Sequence, residues 1–505
     1  MADGRVKKTT YNMLTGFLYQ FVAMVLNFVS RTIFNHTLGT DYLGLNGIFT
    51  DVLGLLSMAD LGFNTAMSYS FYKPLAEHDE RKLSALVNFY RKLYRIIALS
   101  VTVVGLAVTP FLRLIVKTDR EIPQLEIYYF FALAGVVITY LFVYKTTILT
   151  ADQKNYQVTR IRLWTTLVKT CLQILVLLLF HNYIAYLAIN VILEFLNNLI
   201  ASCKSKKTYP YIRNREQLAG EEKKSIFDNM KSVFIYKVSS TLFSATDNIL
   251  ISVIVSTTAV GIYSNYLMVS NKLLLIIQII FSAVTASVGN VVAKEKAEKR
   301  YEVFCAMQSV SFILCGIITS VFFLMANDFV NVWLGKAYTL SLVTIASMTL
   351  NTYLACALQP LWAYRDATGL YKRTKYVMLI GAALNIVLSV IWGQKWGLVG
   401  IIFASAVARL STYFWYEPRL LFREYFEQKL TKYYLSFLGN LALVVGTGLV
   451  LSCAMSNFEV TGWFTLALKG MIIGISCSIV FLLAYCRTAG FQIILNKVKD
   501  IIRRK

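Results

Sequence analysis

Polar side chains run along one apolar segment near the middle of the sequence. Within 233–255 they recur at helical spacing, so at about 100° per residue they share one face of a helix. This face combines an ammonium group with hydroxyls and an amide, groups that bind anions and sugar hydroxyls through hydrogen bonds. Its members are Lys237, Ser240, Thr241, Ser244, Asn248 and Ser252.

A second polar face lies in an apolar segment near the N-terminus, and the constant shift that places Thr40 on Thr257 brings the two segments into register. A polar face that crosses a bilayer must meet a partner or a water-filled cavity. We therefore expect a substrate-binding cleft between the two halves of the chain. The predicted cleft residues are Gln20, Asn27 and Arg31 from the first segment, Lys237, Ser240, Thr241, Ser244 and Asn248 from the second, and Lys272 from 260–292.

The ionisable residues inside apolar segments have alternative roles. Arg31 and Lys237 lie near the ends of their segments, where long cationic side chains can also extend to the membrane surface. Asp60 precedes Leu-Gly-Phe-Asn, where it can cap a helix break, and Lys469 is expected to serve a helix contact. The other charges either pair with one another or bind a coupling H⁺ or Na⁺. The candidates for pairing or coupling are Asp51, Asp60, Asp247, Glu194 and Lys169.

Catalytic and nucleotide-binding motifs are absent from the sequence. Neither G-x-x-x-x-G-K-[ST] nor H-E-x-x-H occurs. The 3 histidines are too scattered for a zinc site. The 8 cysteines lie in or at the edges of apolar segments without paired spacing, which indicates small buried side chains and not disulfides or a metal site. We expect a protein that is not an enzyme and that needs no metal and no cofactor.

The composition indicates a membrane protein. Of the 505 residues, 57% are apolar and 15% are charged, whereas soluble proteins carry about 25% charged residues. A spanning helix needs about 20 mostly apolar residues, and counting such runs predicts an all-α polytopic fold with about 14 transmembrane helices. The predicted spans are 14–34, 43–69, 93–116, 126–149, 160–180, 184–203, 233–255, 260–292, 303–326, 340–364, 377–392, 398–416, 435–455 and 463–485.

The net charge is +23, and the basic residues that produce it are unevenly distributed between the two sides of the predicted topology. Basic residues are retained on the cytoplasmic side of a membrane. Alternate connections together with both termini hold 40 of the 50 basic residues, and the opposite connections hold 4. We expect a multi-pass protein of the cytoplasmic membrane with both termini in the cytoplasm. The charge then reflects topology and attraction to membrane lipids, not nucleic-acid binding.

The shift that aligns the two polar faces also indicates an internal repeat. Besides placing Thr40 on Thr257, it places Gly44 on Gly261, at equivalent positions relative to the spans. Six spans in each half predict two parallel lobes of six helices, related by an axis along the membrane normal, plus two C-terminal helices. The predicted boundaries are 1–203 for the N-lobe, 204–232 for a cytoplasmic linker, 233–416 for the C-lobe, and 417–505 for the last two spans and a basic tail.

One stretch resembles a known family. It runs from Arg31 through Asn-His-Thr-Leu-Gly-Thr-Asp-Tyr-Leu-Gly-Leu to Ala-Asp60-Leu-Gly-Phe-Asn. It is similar to the polysaccharide-biosynthesis flippases of the multidrug/oligosaccharidyl-lipid/polysaccharide exporter superfamily. The resemblance implies alternating-access transport of an undecaprenyl-pyrophosphate-linked oligosaccharide to the outer leaflet. It further implies a cationic cavity that includes Arg31, and a possible association with polysaccharide polymerase or chain-length machinery.

Three other functions compete with this interpretation. A multidrug antiporter of the same fold would favour an acidic, apolar pocket, whereas these polar faces are cationic and rich in amides. A lipid II flippase shares the layout and is not excluded by composition. A membrane glycosyltransferase or polymerase would usually expose a sizeable outer loop with carboxylates, while the longest predicted outer loop here is 327–339.

Overall fold

In the computed structural model, the chain is described over residues 2–60, 63–118 and 122–503. Long helices joined by short connections make up this part of the chain. Two compact units are distinguished by their internal contacts, Met1–Gly261 and Ile262–Lys505.

The first unit begins with a helix of 37 residues and contains three interrupted spans. Its helices are α1 (Ala2–Leu38), α2 (Thr40–Leu56), α3 (Phe63–Glu77), α4 (Glu80–Val108), α5 (Leu112–Ile115), α6 (Leu125–Tyr140), α7 (Val143–Ala151), α8 (Asn155–Phe180), α9 (Tyr183–Thr208), α10 (Gly220–Ala245) and α11 (Asp247–Ile254). The interrupted spans are α2–α3, α6–α7 and α10–α11.

The second unit begins inside α12 and ends with a short amphipathic helix. Its helices are α12 (Thr257–Lys294), α13 (Ala297–Leu334), α14 (Leu342–Ala357), α15 (Gln359–Thr368), α16 (Tyr371–Trp396), α17 (Leu398–Ser411), α18 (Tyr413–Leu421), α19 (Thr431–Ala454), α20 (Trp463–Tyr485) and α21 (Ala489–Arg503).

The helices confirm a polytopic all-α membrane protein. Among the described residues, 10 helices are long and apolar enough to cross a membrane, or up to 12 when the bent pairs α6–α7 and α14–α15 are each taken as one span. The predicted spans 43–69 and 233–255 are not among them. Both are interrupted, by the short 3₁₀ turn after α2 and by the break between α10 and α11. The count of fourteen is therefore not confirmed.

The helix boundaries repeat along the chain at the predicted shift. Helix α6 occupies 125–140 and α14 occupies 342–357, so the shift that places residue 40 on residue 257 also brings both ends of α6 onto those of α14. Helix α2 begins at residue 40 and α3 ends at 77, while α12 runs from 257 to 294, and the same shift relates both ends. The repeat therefore extends from sequence identities to the lengths of the helices. The predicted lobe boundaries themselves stay a prediction.

The connection between α9 and α10 is shorter than the predicted linker and is held in place. Helix α9 extends to Thr208 and α10 begins at Gly220, so the connection occupies 209–219. Ser84 Oγ donates to the Tyr211 carbonyl at 2.6 Å, and Asn88 Nδ2 donates to the Asn214 carbonyl, also at 2.6 Å. These bonds fasten the connection along the first turns of α4.

The starts of α2 and α12 touch through their own repeat equivalents. A Cβ atom on Gly44 would lie 2.0 Å from the Thr257 carbonyl oxygen, and one on Gly261 would lie 2.2 Å from the Thr40 carbonyl oxygen. The Thr258 hydroxyl donates to the Asp41 carboxylate, and this pair is separated by 217 residues, the shift of the repeat. Such reciprocity is what a two-fold relation between the starts of α2 and α12 produces. Glycine is required at both positions because any side chain would meet backbone.

We expect Gly44→Ala to destabilise the protein. The added methyl group would force α2 away from the start of α12, and overpacking of this kind costs about 1–3 kcal/mol. Gly54→Ala, on the same helix with no atom within 4 Å of the added Cβ, is the control for the helix propensity that alanine adds. Thermal unfolding in detergent should show a lower midpoint for the first variant only. Equal midpoints would contradict the contact.

Candidate functional site

The polar face of α1 is open at two of its three predicted positions. Gln20 and Asn27 are exposed, while Arg31 is half-buried. The opposite side of α1 packs along α8, and its last part also contacts α2. Amide groups therefore remain available on a helix that also exposes large apolar residues such as Phe17 and Val25.

Arg31 lies close to aromatic and hydroxyl side chains of α1 and α9. Its charge interacts with Tyr186 of α9, whose hydroxyl is hydrogen-bonded by Ser30. The ring of Tyr186 meets Phe34 at 5.2 Å between centroids in an edge-on arrangement. Phenolic oxygens beside a guanidinium make this a site of several donors rather than a bare charge.

The tyrosines in this region were not predicted from the sequence. Tyr183 donates to Asn46 Oδ1 at 2.9 Å, and its ring lies 5.0 Å from Tyr42 and 4.8 Å from Tyr128 between centroids. These residues come from α2, α6 and α9, which are distant in sequence. The enrichment in tyrosine, 31 of 505 residues, is the one signal that pointed to such a cluster.

The second polar face is divided by a helix break. Lys237 and Thr241 are half-buried and Ser240 is exposed on α10, which ends at Ala245. Helix α11 begins at Asp247 after the single non-helical residue Thr246. Asp247 and Asn248, both half-buried, thus lie in the first turn of a new helix.

Asp51 of α2 approaches this break. The Asn248 side chain is hydrogen-bonded to the Asp51 carboxylate, and Asp247 is a further electrostatic neighbour. Asp51 Oδ2 is buried and accepts no hydrogen bond from the described residues. Gly47 leaves room for the amide, since its Cβ position lies 3.8 Å from Asn248 Nδ2. Two candidate acidic residues and one candidate cleft amide therefore meet at one place.

Lys169 and Glu194 are brought together in the first unit. Lys169 Nζ donates to Asn190 Oδ1 at 3.1 Å and is attracted electrostatically by Glu194. Glu194 in turn accepts a hydrogen bond of 3.1 Å from Asn198 Nδ2. The charges are shared between α8 and α9 through amides rather than by direct contact, an arrangement that stabilises the helix pair.

The remaining candidates are distributed over both units. Lys272 is half-buried on α12 in the second unit. Lys469 of α20 donates to Asp328 Oδ2 of α13 at 2.7 Å, which agrees with its expected role in a helix contact. The side chains of Asp60 and Ser244 lie outside the described residues. Within the described residues, no group of His, Cys, Asp or Glu is placed to hold a metal ion.

The sequence matches the family described as "Polysaccharide biosynthesis protein" over residues 41–343. That region contains α2 to α13, including the break beside Asp51 and the α2–α12 contact. The chain belongs to this family. None of the curated protein sequences compared with the chain matches it.

Solved structures similar to this family member are transporters and flippases. The lipid II flippase MurJ in an inward closed conformation is similar with a TM-score of 0.68 and 14% identity, covering 94% of this chain and 100% of its own. An inward-facing multidrug resistance MATE transporter of the MOP superfamily follows at 0.62 and 14%, covering 79% and 94%. The Vibrio cholerae MATE transporter VcmN scores 0.53 at 12%, covering 84% and 99%.

The family and these folds confirm three predictions from the sequence. The chain belongs to the polysaccharide biosynthesis family, it has the fold seen in the MurJ and MATE structures, and it is a polytopic all-α membrane protein. Identities of 12–14% establish the fold alone. The positions of the substrate-binding residues stay a prediction.

We expect adjacent cysteines on α10 to differ in reactivity. Ser240 is exposed, whereas Ser239 is fully buried and donates to the Ile235 carbonyl. A charged methanethiosulfonate reagent reacts only where water reaches the thiol. Ser240→Cys should therefore be modified and Ser239→Cys should not, as measured by mass shift in reconstituted protein. Modification of both, or of neither, would remove the polar face of α10 from the cleft.

Proposed function

We propose that this protein moves an oligosaccharide linked to undecaprenyl pyrophosphate from the inner to the outer leaflet of the cytoplasmic membrane by alternating access. Its product would supply assembly of a capsule, O antigen or exopolysaccharide. The observation that carries the proposal is the pair of open polar faces on α1 and α10 in a member of the polysaccharide biosynthesis family. Both helices flank α2, which packs against each of them.

The chemistry of these faces suits such a substrate. Gln20, Asn27, Ser240 and Thr241 offer neutral donors and acceptors for sugar hydroxyls. Arg31 and Lys237 offer charge for a diphosphate, which binds guanidinium and ammonium groups strongly. The polyprenyl chain needs no polar site because it can remain in lipid.

The polar faces, the family match and the similar folds also bear on the alternative functions. A lipid II flippase would share the diphosphate-binding chemistry, and the likeness to MurJ supports it only at the level of the fold. The family match favours a saccharide for polysaccharide assembly. A multidrug antiporter is disfavoured because exposed amides and cations do not complement organic cations. A glycosyltransferase or polymerase is disfavoured because the similar folds are those of transporters and a flippase.

Energy coupling and orientation complete the proposal. Asp51 and Asp247 flank the helix break, where protonation or a bound Na⁺ would change the local charge. Both termini are proposed to lie in the cytoplasm. Polymerase or chain-length proteins would receive the product at the outer face of the membrane. Transport rates in vesicles with a gradient of H⁺ or of Na⁺ would distinguish the two coupling ions.

We expect Arg31→Ala to abolish transport and Arg31→Lys to retain part of it. Removing the guanidinium leaves a diphosphate without one of its charged partners, whereas lysine keeps the charge without the planar donor pattern. Vesicles that contain the purified protein and a fluorescent lipid-linked oligosaccharide report leaflet transfer by the fraction protected from dithionite.

A neighbouring position provides the control for this experiment. Val29→Ala changes an exposed apolar residue on the same helix and should leave transport unchanged. Full transport by Arg31→Ala would refute the assignment of Arg31 to the cleft. A change in substrate mass, by hydrolysis or chain growth, would refute transport as the activity.

Alternating access predicts that the contact between the starts of α2 and α12 opens during transport. Asp41→Cys together with Thr258→Cys places two thiols where the hydroxyl and carboxylate now bond. Oxidation should cross-link them and stop leaflet transfer, and reduction should restore it. Each single variant, which retains the 8 native cysteines, controls for other oxidation. Undiminished transport by fully cross-linked protein would show that this contact stays closed.

A further inference from the structure

Three cationic side chains gather where α4 passes the bent pair α6–α7. The Arg91 guanidinium lies 5.7 Å from the centroid of the Tyr144 ring, and Lys145 Nζ lies 5.2 Å from the same centroid. Lys145 Nζ also lies 5.4 Å from the Phe142 centroid. Arg91 and Arg95 are both electrostatic neighbours of Lys145. Aromatic faces thus hold like charges close together.

The cluster has no compensating negative charge in the described part of the chain. No described carboxylate lies within 4.0 Å of Arg91, Arg95 or Lys145. The electrostatic neighbours of Lys145 are the two arginines and the thiol of Cys203. Arg91 Nε is buried without a hydrogen-bond acceptor. Like charges at short range repel one another, so a bound anion would stabilise this arrangement.

The backbone around the cluster is fixed by the bend and by a hydrogen bond from α9. Helices α6 and α7 meet at a bend of 50°, and α7 begins after Phe142, which supplies no side-chain cap. Ser205 of α9 donates to the Lys145 carbonyl, which fixes the backbone beneath the ammonium group.

The same fold forms in the second half without these cations. Under the shift of the repeat, the equivalent positions are Gln308, Phe312 and Trp362, on α13 and on the bent pair α14–α15. That pair bends by 42°, close to the first. The bend and its packing therefore do not require positive charge, and the three cations serve another purpose.

The cluster opens towards lipid. On α4, Arg95 is exposed and is followed by Ile96 at 61% and Leu99 at 64% exposure. The equivalent face of α13 is covered by α20 and α21: Phe481 fills the space beside Gly316, and Gly490 packs on the Cys305 carbonyl. No described helix covers α4 in this way. The uncovered face places the cations beside the hydrocarbon, at the predicted inner edge of the membrane.

We propose that Arg91, Arg95 and Lys145 form a binding site for a lipid headgroup that carries two phosphate charges, separate from the transport cleft. Three cations beside exposed apolar residues match a ligand that is anionic at its head and apolar in its chains. A two-phosphate headgroup balances three cations better than a single phosphodiester. The ligand comes either from a diphosphatidyl lipid of the bilayer or from a polyprenyl diphosphate.

Lipid retention measured by native mass spectrometry tests the site on the full-length protein. The detergent-solubilised protein is incubated separately with cardiolipin, undecaprenyl diphosphate, phosphatidylglycerol, phosphatidylcholine and inorganic pyrophosphate. The variant Arg91→Gln with Lys145→Gln removes two charges, and Lys92→Gln, at an exposed neighbour on α4, is the control. The charge-retaining variant Arg91→Lys with Lys145→Arg separates charge from folding.

We expect the wild type to retain a two-phosphate lipid, and the double glutamine variant to bind it about thirtyfold more weakly. Lys92→Gln and the charge-retaining variant should bind nearly as the wild type does. Retention of cardiolipin or of undecaprenyl diphosphate identifies the source of the headgroup. Equal retention by the double glutamine variant, equal retention of phosphatidylglycerol, or binding of pyrophosphate without a lipid chain would each overturn the proposal.

Discussion

The reciprocal contact between the starts of α2 and α12 is the constraint on which the first unit depends. At Gly44 and Gly261 the backbones approach until a methyl group would lie 2.0 Å and 2.2 Å, respectively, from a carbonyl oxygen. Close approach of small residues is how membrane helices associate, because lipid gives no hydrophobic drive for their packing. Helix α2 is fixed by this contact and in turn packs against α1, α10 and α11. The helices that carry the two polar faces are therefore positioned in part by a pair of glycines.

The repeat provides one frame that the two halves use differently. The helix boundaries agree under the shift of the repeat, yet α13 is covered by α19 to α21 and α4 is not. Lys469 on α20 meets Asp328 on α13, which stabilises the added helices against their half. The corresponding surface of α4 keeps its apolar residues exposed together with its arginines. An addition to one half thus leaves the other half with a surface free for lipid.

Much of the fold could be predicted because helices in lipid are local structures. Every backbone group must bond within its own helix, so length and apolarity predicted most spans, and a few identities revealed the repeat. Partners distant in sequence could not be predicted. Nothing near Asn46 in the sequence points to Tyr183, 137 residues away, and nothing near Lys469 points to Asp328, 141 residues away. The polar residues of the candidate site were found by periodicity, but the meeting of Asp51 with Asn248 needed the three-dimensional fold.

The two predicted spans that are not among the membrane-crossing helices of the described residues share a feature of composition. They are α2 with α3, and α10 with α11, and between them they carry Asp51, Lys237, Ser240, Asp247 and Asn248. Each polar group lowers the gain from burying the helix in lipid. Both of these spans are also interrupted, and breaks expose backbone groups that need neighbours. Contacts with α2 and with one another replace the lipid as the surroundings of these helices. Interrupted helices that carry polar groups therefore depend on contacts with other helices more than an unbroken apolar span does.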